Sequence, residues 1–177
     1  MYLTVKIDGK TWMAENLNYA GQTDGNSSCY DDDLSNCAMY GRQYDWDAAM
    51  SACPAGWHLS TNDEWNALRL FADDGTGTSG TKLKAKTGWS QWTCVEWMSE
   101  SGCIVNNLYS GNGTDNFGFS ALPSCFNCRS SWWSATEFGG TDSFYAWYWY
   151  MGSELSSMVE GFWDKPEQRN VRCVKDD

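Results

Sequence analysis

The chain is poor in proline, in histidine and in basic residues, and each shortage closes off a class of protein. It holds 3 prolines in 177 residues, against 12 tryptophans and an aromatic content of 16%. Disordered chains are proline-rich and poor in aromatics, so this composition belongs to a folded chain. A chain of this length can bury roughly two-thirds of its unfolded surface, enough for a full core, and the length predicts a single domain over residues 1–177. Lys and Arg number 12 against 23 Asp and Glu, a formal charge of −11. Such a chain repels phosphate backbones, so nucleic acid is excluded as the expected partner. The nearest approach to a basic cluster is Lys82, Lys84 and Lys86, whose alternate spacing predicts an exposed strand edge or loop. No apolar run reaches the length of a membrane span, and no signal peptide, internal repeat or second domain is visible. The expected form is a mature chain with Met1 added as initiator.

His58 is the only histidine, whereas there are eight cysteines, at positions 29, 37, 53, 94, 103, 125, 128 and 173. A zinc site without histidines would need four cysteines in two close pairs, and only Cys125 and Cys128 have that short spacing. No metal is therefore expected at the cysteines. The even count points to disulfides, and disulfides to an exported protein.

What the chain has in abundance is aromatic surface near its C-terminus. Eleven aromatic residues fall within the 32 positions from Trp132 to Trp163, and the densest stretch is Phe144-Tyr145-Ala146-Trp147-Tyr148-Trp149-Tyr150. A strand sends alternate side chains to opposite faces, so this run cannot bury all its rings on one side. With Trp147, Trp149 and Met151 inward, Tyr148 and Tyr150 point outward. Exposed rings give large contact area at low entropic cost, which is the chemistry of a recognition surface. The alternative is a strand covered by protein on both faces.

Elsewhere the signals are local. Leu3, Val5 and Ile7 alternate with polar residues ahead of the turn Asp8-Gly9-Lys10, which predicts short strands within Met1–Asn18. Gly21–Asn36 reads as a polar loop carrying Asp31-Asp32-Asp33. Asp45–Ala52 has a helical stripe that Cys53-Pro54 ends. A second helix, Thr61–Ala72, opens with a capping box, Thr61-Asn62-Asp63-Glu64. From Asp73 to Asn116 the chain is rich in Gly, Ser, Thr and Asn and reads as long loops, one of them stapled by Cys94 and Cys103. Short strands follow and end in Val171-Arg172-Cys173-Val174.

Several ordered strings together carry a resemblance. They are Tyr40-Gly41-Arg42, Trp46-Asp47-Ala48-Ala49, Cys53-Pro54-Ala55-Gly56-Trp57-His58-Leu59 and Glu64-Trp65, then Gly118-Phe119-Ser120-Ala121-Leu122-Pro123, Trp132-Trp133-Ser134-Ala135-Thr136-Glu137 and Val171-Arg172-Cys173-Val174. From Asp8 to Asp176 they resemble the major paralogous domain of Fibrobacter succinogenes, a family of secreted or surface-attached bacterial domains. The resemblance implies an α+β, C-type-lectin-like fold with two helices, short antiparallel strands and long disulfide-stapled loops. That fold is similar to formylglycine-generating enzymes and to the variable proteins of diversity-generating retroelements. In those variable proteins the C-terminal segment carries the ligand contacts, and Trp132 to Cys173 occupies that place here. The same fold commonly bridges its first helix to its last strand, which implies Cys53–Cys173. The remaining expected pairs are Cys29–Cys37, Cys94–Cys103 and Cys125–Cys128.

The chain departs from the resemblance at Ser124-Cys125-Phe126-Asn127-Cys128-Arg129, where the family commonly continues with Gly and an Arg-containing loop. Neither a Glu-Pro-Asn or Gln-Pro-Asp motif nor Trp-Asn-Asp occurs; Lys165-Pro166-Glu167 is the nearest string, so calcium-mediated sugar binding loses support. Asp73-Asp74-Gly75 and Asn112-Gly113-Thr114-Asp115-Asn116 offer oxygen ligands without an EF-hand pattern. They are expected as solvated turns, with structural calcium as the alternative and no other cofactor. His58 is expected as a hydrogen-bonded core histidine, Glu64 as a cap and Glu137 as a structural carboxylate.

The expected function is a secreted or cell-surface, non-catalytic adhesion or recognition module for a protein or glycan ligand, a retroelement-diversified variable protein being one form of it. Its expected ligand-binding residues are Phe138, Asp142, Phe144, Tyr145, Tyr148, Tyr150, Ser153, Glu154, Ser156, Ser157, Phe162, Trp163 and Glu167. The alternative is an oxidoreductase, either formylglycine-generating-enzyme-like or built on the Cys125–Cys128 spacing, which is expected to be a loop staple because no helix pattern follows it to activate a thiolate. No complete catalytic constellation can be named from the residues.

Overall fold

The computed structural model describes residues 1–21, 26–93, 104, 106–124 and 129–177. The chain is α+β. The first hairpin pairs β1 (Thr4–Ile7) with β2 (Lys10–Met13). Both turn residues, Asp8 and Gly9, have positive φ, at 47° and 80°. That is the geometry a two-residue hairpin demands and the reason for Asp-Gly there.

The chain then runs through β3 (Ser27–Ser28), a short 3-10 turn, α1 (Leu34–Tyr40), β4 (Gln43–Tyr44), α2 (Trp46–Ala52), β5 (Trp57–Leu59), α3 (Asn62–Asp73) and α4 (Ser79–Leu83). Asp45 caps α2 by accepting from the Ala48 N–H. Thr61 and Glu64 form the reciprocal capping box of α3. After β6 (Trp92–Thr93) and β7 (Leu108–Tyr109) come the long strands β8 (Ser130–Phe138), β9 (Tyr145–Met151) and β10 (Val159–Asp164), then β11 (Arg169–Asn170) and β12 (Cys173–Lys175).

One sheet has the order β1-β2-β12-β5 and another β10-β9-β8-β11-β4-β3. The two ends of the chain meet in the first, where Val174 pairs with Trp12. Cys53, at the end of α2, bridges Cys173 on β12, and Cys29 bridges Cys37 within α1. The expected pairs Cys94–Cys103 and Cys125–Cys128 lie outside the described residues.

Three pairs of neighbouring residues divide between two apolar clusters. Trp12, Trp132 and Val174 join Trp65, Leu68, Phe119, Trp149 and Met151 beneath α3. Met13, Trp133 and Cys173 join Tyr44, Ala49, Ala146 and Val171 beneath α2. β8 is thus buried on both faces, with Trp132 and Trp133 each 0% exposed. Buried indoles keep their N–H groups satisfied: Trp132 donates to Asn16 Oδ1 (2.8 Å), Trp133 to the Tyr44 carbonyl (2.8 Å) and Trp46 to the Ser134 carbonyl (2.8 Å). Arg172 lies between the clusters and donates to Asn16 Oδ1 and to the carbonyls of Met13 and Phe119.

Three expectations are corrected. The described residues hold four α-helices rather than two. The expected polar loop Gly21–Asn36 contains the start of α1, which Asp33 caps by accepting from the Ser35 N–H at 2.8 Å. Lys84 is not on an exposed edge but is 2% exposed. Its ammonium donates to the carbonyls of Gly152 and Leu155, each at 3.0 Å, and so ties α4 to the turn between β9 and β10. Burial pushes its pKa down to about 8.

Candidate ligand-binding site

β8, β9 and β10 form the ribbon that carries the C-terminal aromatics. β9 pairs antiparallel with both neighbours, placing Trp132 opposite Trp149, Phe138 opposite Tyr145 and Phe162 opposite Trp147. Side chains that face each other across such a pair share a face. Trp149, 1% exposed, and Met151, 0% exposed, are in the core as expected.

Trp147 departs from the expectation. It is half-buried, not core. The cause is the position of α3, whose first residue, Asn62, accepts the Trp149 indole N–H at 2.7 Å. The helix therefore begins over Trp149, and the next residue outward on that face lies beyond its end. Nothing in the strand's own pattern distinguishes the two tryptophans.

What covers Trp147 instead is a group of rings from three strands. Phe138 and Phe162 stack in parallel, with centroids 3.8 Å apart and planes at 2°. Trp147 stands edge-on to both, at 4.9 and 6.2 Å. Tyr145 meets Phe162 edge-on at 6.0 Å, and Phe144 meets Tyr145 at 5.6 Å. Tyr145 is 42%, Phe162 45% and Phe144 58% exposed. Large rings left in water at this density mark an interaction surface more often than chance.

A carboxylate–ammonium pair lies across the ribbon from this group, on the face of Ala146, with which Glu137 pairs. Lys165 donates to Glu137 on β8, and its ammonium sits 4.1 Å from the centre of the Trp46 ring. That hydrogen bond, with help from the backbone of Asp142 and Ser143, holds the Glu137 carboxyl below its ordinary range. Glu137 is thus a half-buried structural carboxylate.

The opposite face of the ribbon is built differently. Tyr148 and Tyr150 do alternate away from Trp149, but both are half-buried. Tyr148 packs edge-on against Trp133 at 6.4 Å, and the Arg169 guanidinium lies 3.8 Å from its ring centre. Trp163 also projects on this face, because it pairs with Ala146, and is 51% exposed.

The other expected contact residues scatter. Ser153, Glu154, Ser156 and Ser157 lie in the turn after β9, about 20 Å along the strand from Tyr145. There Ser157 donates to the Gly77 carbonyl at 2.6 Å, the Ser156 carbonyl accepts from the Thr81 N–H at 2.8 Å, and Glu154 pairs with Arg129. The Thr81 contact docks the turn on α4, and none of the three joins the aromatic group. Asp142 is exposed in the β8–β9 turn with φ of 63°, and Glu167 is exposed in the β10–β11 turn.

His58 is hydrogen-bonded as expected, but its side chain is 37% exposed and not core. Its Nδ1 lies 2.7 Å from Asp176 Oδ1 and its Nε2 3.0 Å from Glu64 Oε1. Burial alone would lower its pKa, but these two carboxylates outweigh burial and raise it. Lys10 reaches the same Glu64 carboxylate at 3.2 Å. The group joins β2, β5, α3 and the C-terminus, so its work is to fasten chain ends.

The oxygen-rich turns are likewise engaged. Asp74 pairs with Lys82 at 2.6 Å, and Asp115 accepts from the Ser120 N–H and hydroxyl. Among the described residues no group of three or more His, Cys, Asp or Glu is arranged to hold a metal, and no helix is long and apolar enough to cross a membrane.

The family described as the Fibrobacter succinogenes major domain matches residues 5–175. No curated protein and no solved structure matches the chain.

Proposed function

The chain belongs to the Fibrobacter succinogenes major domain family, and from that premise we propose that it is a non-catalytic recognition module, secreted or held at a bacterial cell surface. The observation that carries this reading is the five-ring group of Phe138, Phe144, Tyr145, Trp147 and Phe162. It stands at the outer end of a ribbon whose strand β8 is core on both faces at Trp132 and Trp133, so the rings are held rigidly by the strands beneath them. Rigid, flat, half-exposed rings suit the apolar face of a sugar or the surface of a protein. The disulfides are compatible with an oxidising, extracellular setting.

The lectin-like reading of the fold belongs to the same proposal. A bridge from the end of α2 to the last strand and chain ends that pair in one sheet both support it. So does the placement of the aromatic group within Trp132–Cys173, the segment that varies in retroelement-diversified relatives of that fold. The oxidoreductase alternative would rest on Cys125 and Cys128, which lie outside the described residues.

The test is a screen of neutral glycans, plant polysaccharides and candidate surface proteins with the wild type and with Phe162→Ala. Truncating an aromatic anchor costs about 1–3 kcal/mol of affinity, or roughly 5- to 150-fold. The expected result is a saturable ligand whose affinity falls by that factor while the melting temperature moves by only a few degrees. A ligand that Phe162→Ala binds as tightly as the wild type would overturn the assignment of the surface.

A further inference from the structure

The two faces of the ribbon differ in how their rings meet charge. On the face of Tyr148 the chain supplies its own cations. Arg169 lies 3.8 Å from the Tyr148 ring centre and 5.0 Å from that of Trp133, and Arg129 lies 5.5 Å from that of Tyr150. Lys84 and Arg172 serve buried rings elsewhere, Trp89, Phe119 and Trp132. All 12 Lys and Arg are among the described residues, and none of them stacks on a ring of the five-ring group. Three of those rings keep much of their surface in water after packing on one another: Phe144 58%, Phe162 45% and Tyr145 42%. Surface is therefore left for an occupant.

The charges around these rings all have one sign. From Ser130 to Asp164 the chain holds Glu137, Asp142, Glu154, Glu160 and Asp164, and no Lys, Arg or His. Two of these are neutralised within the fold, Glu137 by Lys165 and Glu154 by Arg129. The other three form no ion pair among the described residues. The β9–β10 register sets Glu160 opposite Trp149, Phe162 opposite Trp147 and Asp164 opposite Tyr145. Glu160 and Asp164 therefore share the face of Phe162 and flank it about 7 Å to either side along the strand. Glu160 is exposed and Asp164 half-buried.

An exposed ring attracts a cation to its face, and a carboxylate beside it adds Coulomb attraction. The charge of −11 draws cations at longer range. Glu160 and Asp164 stand about 13 Å apart along the strand, a separation that suits two side chains of one segment better than a single small cation. Arginine fits best, because its planar guanidinium both stacks on rings and forks onto a carboxylate. We propose that the five-ring face docks an arginine-rich segment of a partner protein, whose guanidinium groups stack on the exposed rings and pair with Glu160 and Asp164. The proposal rests on reading the chain as a recognition module and names the class of its partner.

The test is calorimetric titration of the whole chain with a short peptide in which arginine alternates with glycine and serine. The same peptide with citrulline, the uncharged urea of nearly equal shape, is the control, and a neutral cello-oligosaccharide and a cationic glucosamine oligomer are the competing classes. The arginine peptide should bind about tenfold tighter than the citrulline peptide or more tightly still, and added salt should narrow the gap. Phe162→Ala should weaken it about 5- to 150-fold, and Glu160→Gln combined with Asp164→Asn about 3- to 10-fold. Asp31→Asn combined with Asp32→Asn removes the same charge beyond β3, the opposite edge of the sheet, about 24 Å from β10. That pair should leave affinity nearly unchanged, because exposed charges so far away are screened. Equal binding of the arginine and citrulline peptides, no binding of the arginine peptide, or equal losses from the two carboxylate pairs overturns the proposal. So does tighter binding of either oligosaccharide. Because the arginine–citrulline comparison uses the unaltered chain, it decides the matter even where a variant does not fold. A saccharide that binds through Phe162 while the arginine peptide does not would overturn this partner alone and leave the recognition module standing.

Discussion

Trp147 and Trp149 stand two residues apart on one face of one strand, and truncating each separates fold from function. Trp149 is 1% exposed, packs beneath α3 and donates its indole N–H to Asn62 Oδ1. Trp149→Ala removes a buried tryptophan, which costs about 3–5 kcal/mol, and it also takes the partner from Asn62 at the first turn of the helix. For a chain of 177 residues a loss of this size lowers Tm by roughly 10 °C. Trp147 is half-buried and loses edge-on contacts with Phe138 and Phe162. Those contacts and the partial burial are together worth about 1–2 kcal/mol, so Trp147→Ala should lower Tm by roughly 3–6 °C. Ligand affinity should respond in the opposite order once measured well below both melting points. Trp147→Ala should weaken binding by about tenfold, whereas folded Trp149→Ala should bind nearly as the wild type does. Thermal unfolding by circular dichroism, paired with titration of whichever ligand the screen yields, reads both effects. Equal destabilisation by the two substitutions would show that Trp147 is core and would remove the argument that the outer end of the ribbon is free for recognition.

Two further expectations concern stability. Replacing Cys53 and Cys173 by Ala opens a loop with a sequence separation of 120, for which the chain-entropy relation gives about 5 kcal/mol. The same change at Cys29 and Cys37, with a separation of 8, gives about 2.5 kcal/mol; denaturant titration that finds the short bridge to be the costlier loss would contradict this ordering. His58 has a folded pKa raised by Asp176 and Glu64 against the effect of burial, so folding favours its charged form. Its contribution is complete below the unfolded value of about 6.5 and is lost as pH rises through the higher folded value. The stability difference between wild type and His58→Gln should therefore shrink across that rise, and a difference that grows with pH would contradict the assignment.

Much of the local structure was legible because the signals that make it are complete within a few residues. Asp8-Gly9 specifies its hairpin turn through positive φ, Thr61 and Glu64 cap α3 reciprocally, and Asp45 caps α2 ahead of the stop at Cys53-Pro54. The period-2 alternation of β9 also stated correctly which residues oppose one another, with Trp149 and Met151 on one side and Tyr148 and Tyr150 on the other. What alternation cannot state is what lies above each face, because that is supplied by segments far away in the chain. Tyr148 is covered by Arg169 from β11, and Lys84 is drawn inward by carbonyls at Gly152 and Leu155. Trp147 is left outside because α3 begins over Trp149 and does not extend outward to reach it. α1 and α4 are short, and what holds them is largely supplied by tertiary structure: the Cys29–Cys37 bridge in one case, the docked β9–β10 turn in the other. The sequence by itself determined the turns, the caps, the strand periodicity and the wealth of aromatic rings. Only the tertiary structure decided which rings are core and which meet solvent, because burial is set by what packs across a face and not by the residues within it.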